Sequence, residues 1–242
     1  MLNAGSSRSP PRVAPLADVS IGGLTPLTTI DFPERLAAVV YLRGCPWRCG
    51  YCHNPSLLAP VSRRVAGGPA WHDVYAFLER RRGLLDGVVF SGGEPTSQRA
   101  LLSAVLAVRA LGFDIGLHTA GPYPNRLRRL LPLVDWVGMD IKAPFERYAH
   151  ITGVRRSGDK ARESARLLLA SGVPHEFRTT VDIAVLPAAD VLRAAQQLAD
   201  LGARRYVLQR SRADDGTPAS GWLDDITLAR VGSYFDDFAV RS

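Results

Sequence analysis

The three cysteines of this chain all lie within the stretch GCPWRCGYCHNP. They are Cys45, Cys49 and Cys52. Pro46 and Gly50 allow the backbone to turn, so three thiolates at this spacing can converge on one inorganic centre. A structural zinc ion normally takes four protein ligands, and His53 is a poor fourth ligand because it directly follows a cysteine. A [4Fe-4S] cluster held by three thiolates would instead leave one iron open to bind another molecule.

A second group of candidate residues lies in SGGEPT, residues 91–96, directly after a predicted strand. Gly92 and Gly93 have no side chains, so backbone groups there can approach a ligand closely. The Glu94 carboxylate can accept a hydrogen bond from a ligand ammonium group. A tight turn between a strand and a helix would also explain the two glycines, but it does not explain the glutamate.

Charged residues also occur in or at the ends of two later predicted strands. In MDIKAP, Asp140 and Lys142 are two residues apart, so they project from the same face of an extended strand. A surface ion pair is the alternative explanation of these two residues. In HEFRTTVD, Arg178 lies within an otherwise apolar strand, where a charged side chain is seldom buried without a partner.

Six short apolar runs predict the buried strands that position these residues. The runs cover 37–42, 87–90, 113–117, 136–141, 176–181 and 206–208. Helical patterns cover 70–82, 99–110, 123–131, 159–170, 189–201 and 223–238. This alternation predicts an α/β protein with a parallel sheet, either an open, incomplete barrel or a doubly wound sheet. In both architectures the polar motifs lie at the carboxyl ends of the strands.

The composition is typical of a globular protein, with 46% hydrophobic and 22% charged residues. Residues 1–17 lack periodicity and are predicted to form a disordered tail before one domain that spans 18–242. Clustered cysteines, without a secretory signal or a long apolar run, predict a cytoplasmic protein with no membrane contact. The net charge of +7 is distributed over helical patterns, so we expect solvated helix faces and no nucleic-acid partner.

The segment CPWRCGYC matches the CxxxCxxC signature of the radical S-adenosylmethionine (SAM) enzymes, with Tyr51 in the usual aromatic position. The longer run IGGLTPLTTIDFPERLAAVVYLRGCPWRCGYCHNP resembles the activating proteins of anaerobic ribonucleoside-triphosphate reductase, which are glycyl-radical-enzyme activases. SGGEPT and MDIKAP are similar to further motifs of these enzymes. The resemblance implies an incomplete (β/α)6 barrel with the cluster at the carboxyl-end mouth of its parallel strands.

By this resemblance, the three cysteines bind a [4Fe-4S] cluster and the later motifs bind SAM. The implied SAM-binding residues are Tyr51, Gly92, Gly93, Glu94, Thr119, Asp140, Lys142 and Arg178. Lys142 and Arg178 would bind the SAM carboxylate, Asp140 would face the ribose or a nearby cation, and Tyr51 would lie near the adenine. Several activases carry Asp-Thr at the end of the third strand, where the acid helps to hold a monovalent cation beside SAM. This chain has His118 in place of that acid, followed by Thr119. A neutral imidazole has no negative charge, so the resemblance does not extend to the cation site.

The implied activity is that of an oxidoreductase. A flavodoxin- or ferredoxin-type donor reduces the cluster, SAM is cleaved, and a 5′-deoxyadenosyl radical takes a hydrogen atom from a glycine of the partner reductase. The segment GGLTPLTTIDFP favours anaerobic ribonucleoside-triphosphate reductase as that partner. One alternative is another short radical SAM enzyme, either an activase of pyruvate formate-lyase or a deazapurine-type enzyme. A zinc-binding interaction module is an alternative from a different class, because it needs only the cysteines.

Overall fold

The protein forms one sheet of eight strands, in which neighbours along the sheet are also neighbours along the chain. The computed structural model describes residues 19–52, 54–59, 67–212 and 216–241, so the predicted tail at 1–17 lies outside the described residues. The strands are β1 Ile21–Thr28, β2 Ala37–Leu42, β3 Gly87–Gly92, β4 Asp114–Thr119, β5 Trp136–Asp140, β6 His175–Val181, β7 Arg205–Arg210 and β8 Asp237–Arg241. Strands β2 to β8 are parallel, and β1 pairs with β2 in the antiparallel direction.

Helices connect consecutive parallel strands, as expected for strands that all run in one direction. They are α1 Trp71–Glu79, α2 Leu101–Ala110, α3 Pro124–Leu130, α4 Tyr148–Thr152, α5 Ser157–Ser171, α6 Ala188–Asp200 and α7 Asp225–Gly232. The last of them begins at a side-chain cap, in which Asp224 accepts a hydrogen bond from the Thr227 N–H at 2.6 Å. Among the described residues, no helix is both long enough and apolar enough to span a membrane.

The six predicted strands are present as β2 to β7, and the open, mostly parallel sheet confirms the predicted fold class. The sheet is larger than predicted, because β1 and β8 extend it at its two edges. The sequence of β1 contains two glycines and a proline, which weaken a strand signal. The predicted helix over 223–238 is wrong beyond Gly232: the chain turns there, and β8 follows as a partly exposed strand without an apolar run.

The helices cover one face of the sheet, and the apolar core lies between the helices and that face. Val40, Phe90, Leu117 and Met139 are buried there, in one cluster with helix residues such as Val105. Burial of each such side chain contributes about 1.5–3 kcal/mol. Because successive side chains of a strand alternate, their neighbours project from the opposite face, which we call the inner face.

Phe32 fills the inner face near the amino ends of the strands. Its ring is 5% exposed, packs with Val39 and Val89, and stacks on Trp136 with the ring centroids 6.0 Å apart. Gly87 leaves room for this ring, since a Cβ there would lie 2.8 Å from it. The loop between β1 and β2 therefore supplies apolar packing on the inner face, opposite the helices.

Ion pairs around Glu176, on the inner face, help to hold β8 in the sheet. The Glu176 side chain is 1% exposed and accepts hydrogen bonds from Arg241 Nη1 at 2.7 Å and from Arg205 Nε at 3.3 Å. Arg205 also pairs with Asp237. A buried carboxylate without partners costs several kcal/mol, so the arginine near the end of β8 explains why this short strand docks.

We expect Phe32→Ala to lower the free energy of unfolding by about 3–5 kcal/mol, because it removes a buried ring and leaves a cavity. Urea denaturation measures this change. Ile30→Ala is the matched control, because Ile30 is 83% exposed and its loss should change stability by less than about 0.5 kcal/mol. Equal effects of the two substitutions would show that the loop does not pack as described.

Candidate active site

A cavity of about 250 Å³ opens where the parallel strands end. Its wall contains all three cysteines and most of the other residues selected from the sequence. These are Cys45, Cys49, Cys52, Tyr51, Gly92, Gly93, Thr119, Asp140, Lys142 and Arg178. Functional groups that are distant in sequence meet here because parallel strands bring their carboxyl ends to one edge of the sheet.

Gly92 and Gly93 lie against the start of the loop over residues 44–52, which we call the cysteine loop. Gly92 has a φ of +123°, and a Cβ there would lie 2.2 Å from the carbonyl oxygen of Leu42. A Cβ on Gly93 would lie 2.7 Å from the carbonyl oxygen of Gly44. The Gly93 N–H also donates to the Leu42 carbonyl at 2.8 Å. The close contact of two backbone segments therefore requires both glycines, which at the same time line the cavity.

The part of the cysteine loop between Cys45 and Cys49 contacts the segment around α4. The Arg48 N–H donates to the Thr152 carbonyl at 2.8 Å. Trp47 is 3% exposed and packs edge-on against Tyr148, with 5.7 Å between the ring centroids. The Tyr148 hydroxyl accepts a hydrogen bond from the Lys142 N–H at 2.9 Å. One aromatic pair thus connects the cysteine loop to the loop that carries Lys142.

The three cysteines are free thiols of intermediate burial. Burial and the nearby Glu94 raise the pKa of Cys45 to about 12, and burial also raises the pKa of Cys49. These thiols become thiolates when a bound metal supplies the compensating positive charge. Among the described residues, no group of three or more His, Cys, Asp and Glu side chains is spaced to hold a single metal ion. Three thiolates on one loop fit a cluster of several irons, each taking one thiolate.

The Glu94 carboxylate lies behind the cavity wall, with its side chain 1% exposed. Its Oε1 accepts hydrogen bonds from the Thr96 N–H at 2.9 Å and from the hydroxyls of Thr96 and Thr119 at 2.5 and 2.8 Å. Its Oε2 accepts from the Ala120 N–H at 2.9 Å. Burial raises the pKa of Glu94, and these hydrogen bonds act in the opposite direction. The carboxylate therefore joins the loops after β3 and β4, and its contact with a SAM ammonium group stays a prediction.

Asp140 joins the two cationic side chains of the cavity, Lys142 and Arg178, and we call these three residues the ion cluster. Its Oδ2 accepts a hydrogen bond from Lys142 Nζ at 3.0 Å, and its Oδ1 accepts one from Arg178 Nε at 2.9 Å. Burial alone would raise the pKa of Asp140, but Lys142 and Arg178 hold it below its ordinary value. Burial alone would lower the pKa of Lys142, but Asp140 raises it above its ordinary value. Two cations and one anion leave one positive charge, which complements a bound carboxylate.

On the inner face, Gly138 of β5 leaves room for the guanidinium of Arg178, which lies in the neighbouring strand β6. A Cβ at Gly138 would lie 2.9 Å from Cζ of Arg178. On the same face, the His118 Nε2 lies 2.9 Å from the Asp31 carbonyl oxygen, so we assign the ring hydrogen to Nε2. Burial and the adjacent Arg178 lower the pKa of His118 to about 3. His118 is therefore neutral and holds the loop that carries Asp31.

Tyr51 packs beside the ion cluster. Its ring centroid lies 5.9 Å from Lys142 Nζ, and its hydroxyl lies 3.5 Å from the Lys142 carbonyl oxygen. Burial raises the pKa of Tyr51, so the phenol stays protonated at neutral pH. The predicted contact of this ring with adenine stays a prediction, and His53 lies outside the described residues.

Sequence reasoning missed several residues of this site. Thr180 and Gln209 line the cavity, as do Asp31 and Ser91. Thr180 follows Arg178 by two positions, and the alternation of side chains along a strand was a usable signal for it. The contact between Trp47 and Tyr148 had no such signal, since it depends on how two loops pack.

A model of the radical SAM superfamily matches residues 39–190. A Methanocaldococcus jannaschii protein, provisionally named a glycyl-radical enzyme activating enzyme, is 28% identical over 202 residues, which are 81% of this chain and 81% of that protein. The pyruvate formate-lyase-activating enzyme of Streptococcus mutans is 32% identical over 128 residues, 47% of each chain. The 7-carboxy-7-deazaguanine synthase of Thermococcus kodakarensis is 37% identical over 125 residues, 45% of this chain and 49% of that enzyme.

Two solved structures share the fold. Streptococcus suis SuiB, in its structure bound to S-adenosylmethionine, aligns with a TM-score of 0.59 at 16% identity, over 82% of this chain and 48% of SuiB. Escherichia coli QueE aligns with a TM-score of 0.53 at 19% identity, over 79% of this chain and 84% of QueE. The chain thus spans about half the length of SuiB and most of QueE.

Because the pKa of His118 is lowered in the folded protein, we expect the contribution of His118 to stability to fall as the pH is lowered. The unfolded chain takes up a proton near pH 6.5, whereas the folded protein resists it until the pH approaches 3. Between about pH 7 and about pH 5, this group should remove about 1–2 kcal/mol from the free energy of unfolding. Asp140 contributes only below its ordinary pKa of 3.8, outside this window.

Urea denaturation at these two pH values checks the prediction. His118→Gln keeps a donor for the Asp31 carbonyl but has no titrating group, so its stability should fall less than that of the natural protein. The same pH dependence in both proteins would contradict a buried, neutral His118.

Proposed function

This chain belongs to the radical SAM superfamily, and on that basis we propose that it activates a glycyl-radical enzyme, anaerobic ribonucleoside-triphosphate reductase. The superfamily uses a [4Fe-4S] cluster and SAM as cofactors. One observation carries the proposal: three free cysteines line the same cavity as the ion cluster of Asp140, Lys142 and Arg178. Ligands for iron and charges that suit a zwitterion therefore face one space.

Cys45, Cys49 and Cys52 are the proposed ligands of the cluster. When bound, the cluster supplies the electron for reductive cleavage of SAM, which begins the radical chemistry on a partner glycine. The chain contributes a loop that is held on both sides. Gly93 and its contact with Gly44 hold one side, and the pairing of Arg48 with the segment around α4 holds the other. A loop held in this way keeps three sulfur atoms in place before iron binds.

Lys142 and Arg178 are the proposed ligands of the SAM carboxylate. Lys142 Nζ uses one of its three N–H groups on Asp140, and the Arg178 guanidinium keeps terminal N–H groups beyond its Nε contact. Asp140 holds both cations at the cavity. Thr119 and the two glycines after β3 line the same wall and are proposed to contact the bound zwitterion, with Tyr51 near the adenine.

The choice of partner rests on two kinds of support. The Methanocaldococcus jannaschii relative matches over 81% of both chains, and its provisional name describes an activase of a glycyl-radical enzyme. Within the activases, the likeness of residues 21–55 to the proteins that act on the anaerobic reductase favours that target. A flavodoxin- or ferredoxin-type protein is the proposed electron donor.

A small-molecule radical SAM enzyme of the deazapurine type is the second candidate. The 37% identity to the Thermococcus kodakarensis enzyme favours it, although that match covers only 45% of this chain. Thr180 and Gln209 line the cavity beyond the ion cluster and offer hydrogen bonds to a small polar substrate. The two candidates differ in whether the hydrogen atom comes from a protein backbone or from a small molecule.

The proposed activity is tested by incubating the reconstituted protein anaerobically with SAM, dithionite and the anaerobic reductase. We expect the electron paramagnetic resonance doublet of a glycyl radical on the reductase, and none with Cys49→Ala, which lacks a cluster ligand. Pyruvate formate-lyase in a parallel sample identifies the other activase target. SAM cleavage without a doublet on either protein would contradict the activase proposal and favour a small-molecule substrate.

We expect Lys142→Ala to weaken SAM binding about tenfold or more, because it removes a charged hydrogen-bond donor to the carboxylate. Isothermal titration of the cluster-loaded protein measures this affinity. Lys160→Ala is the matched control, because Lys160 lies on α5 with 57% of its side chain exposed and should leave the affinity unchanged. Unchanged affinity in Lys142→Ala would exclude the carboxylate role of this residue.

A further inference from the structure

Three arginines surround one cavity on the helical side of the sheet, and together with Arg128, which is adjacent to one of them in the chain, they form what we call the basic face. The three are Arg99, Arg126 and Arg129. Arg99 precedes α2, and Arg126, Arg128 and Arg129 belong to α3. In the part of the chain that the structure describes, none of them pairs with a carboxylate, whereas Arg109 in α2 pairs with Asp135. The first turn of α2 also contains no acidic residue. The basic face is therefore an uncompensated positive surface.

The basic face encloses a second cavity of about 250 Å³. Leu101, Leu102 and Leu130 form its apolar wall, and three of the arginines contribute charge around it. An apolar groove with cations at its rim fits a protein surface that presents carboxylates around an apolar side chain. A nucleic acid would instead need cations along an extended track, and three of these arginines lie around a single groove.

The basic face is linked to the cysteine loop by a short hydrogen-bonded path. Arg126 Nη1 donates to the carbonyl oxygens of Thr96 and Ser97 at 2.7 and 2.6 Å. The Ser97 hydroxyl donates to the Gly44 carbonyl at 3.1 Å, and Gly44 directly precedes Cys45. The loop over residues 92–98 thus lies between the basic face and the first proposed cluster ligand.

Gln98, which also lines the second cavity, connects the basic face to the residues just before the cysteine loop. Gln98 Nε2 donates to the Arg43 carbonyl at 2.9 Å and to the Ser20 carbonyl at 2.7 Å. The two cavities have no lining residue in common. A protein docked on the basic face would therefore lie close to the cysteine loop without blocking the cavity that must admit SAM and a partner glycine.

We propose that the basic face docks the acidic electron-transfer protein that reduces the cluster. This inference rests on the proposed function, because only a redox role requires a protein reductant. In the step it serves, one electron leaves the reduced donor, which is oxidised by one equivalent, and the cluster is reduced by one equivalent. No proton or group is transferred. Docking there places the donor behind the cysteine loop, at the end of this hydrogen-bonded path, and leaves the carboxyl-end mouth free.

The test compares two triple variants that lose equal charge. R99Q/R128Q/R129Q removes three exposed arginines of the basic face and keeps Arg126, which holds the loop over residues 92–98. R80Q/R81Q/R82Q is the matched control, because these arginines are equally exposed but follow α1, before the amino end of β3. The probe is reduced flavodoxin. Its binding is measured by isothermal titration, and cluster reduction by the loss of cluster absorbance after rapid mixing.

We expect the basic-face variant to lose about tenfold or more in both flavodoxin affinity and the rate of cluster reduction, while the control variant stays within about twofold of the natural protein. The effect should shrink at high ionic strength, where surface charges are screened. With dithionite as reductant, all three proteins should cleave SAM at the same rate.

Two outcomes would overturn the docking proposal. Equal flavodoxin binding and reduction in both variants would show that the basic face has no part in docking. A loss of SAM cleavage with dithionite, confined to the basic-face variant, would mean that the arginines support the site itself. Failure of the natural protein to cleave SAM with dithionite would instead refute the proposed function, so the two failures are distinguishable.

Discussion

The ion cluster in which Asp140 lies between Lys142 and Arg178 is the interaction on which the site depends. Each of the three side chains is at most 29% exposed, so leaving any one charge without its partner would be costly. Together they are stable as charged groups and keep one positive charge for a ligand carboxylate. Because Asp140 ends β5 and Arg178 lies in β6, the cluster also fixes the register at which these strands present their ends to the cavity.

The rest of the inner face accommodates this cluster. Gly138 leaves room for the Arg178 guanidinium, and His118 is neutral beside it, so no third positive charge is added next to Asp140. On the other side of the cavity, Gly92 and Gly93 allow the end of β3 to lie close to Leu42 and Gly44, where the cysteine loop begins. The structure therefore brings three thiol ligands for iron and a cationic pair to one cavity.

Sequence patterns predicted the parts of this arrangement that local rules govern. The spacing of the cysteines, the alternation of β2 to β7 with helices, and the shared face of Asp140 and Lys142 all follow from local geometry. The role of Glu94 was not predictable in this way, because two of its four hydrogen bonds come from Thr119 and Ala120, at the end of β4, and depend on strand pairing. The strand β8 was missed because an ion pair with Glu176, and not an apolar run, holds it in the sheet.

We propose that the cysteine loop holds a cluster with one iron open to SAM, next to Lys142 and Arg178. Electron-nuclear double resonance on the reduced, cluster-loaded protein tests this arrangement, with SAM labelled by ¹⁵N at the amino group and by ¹⁷O at the carboxylate. We expect hyperfine coupling from both labels, because both groups bind the open iron. A reduced cluster that shows coupling to neither label would contradict this proposal.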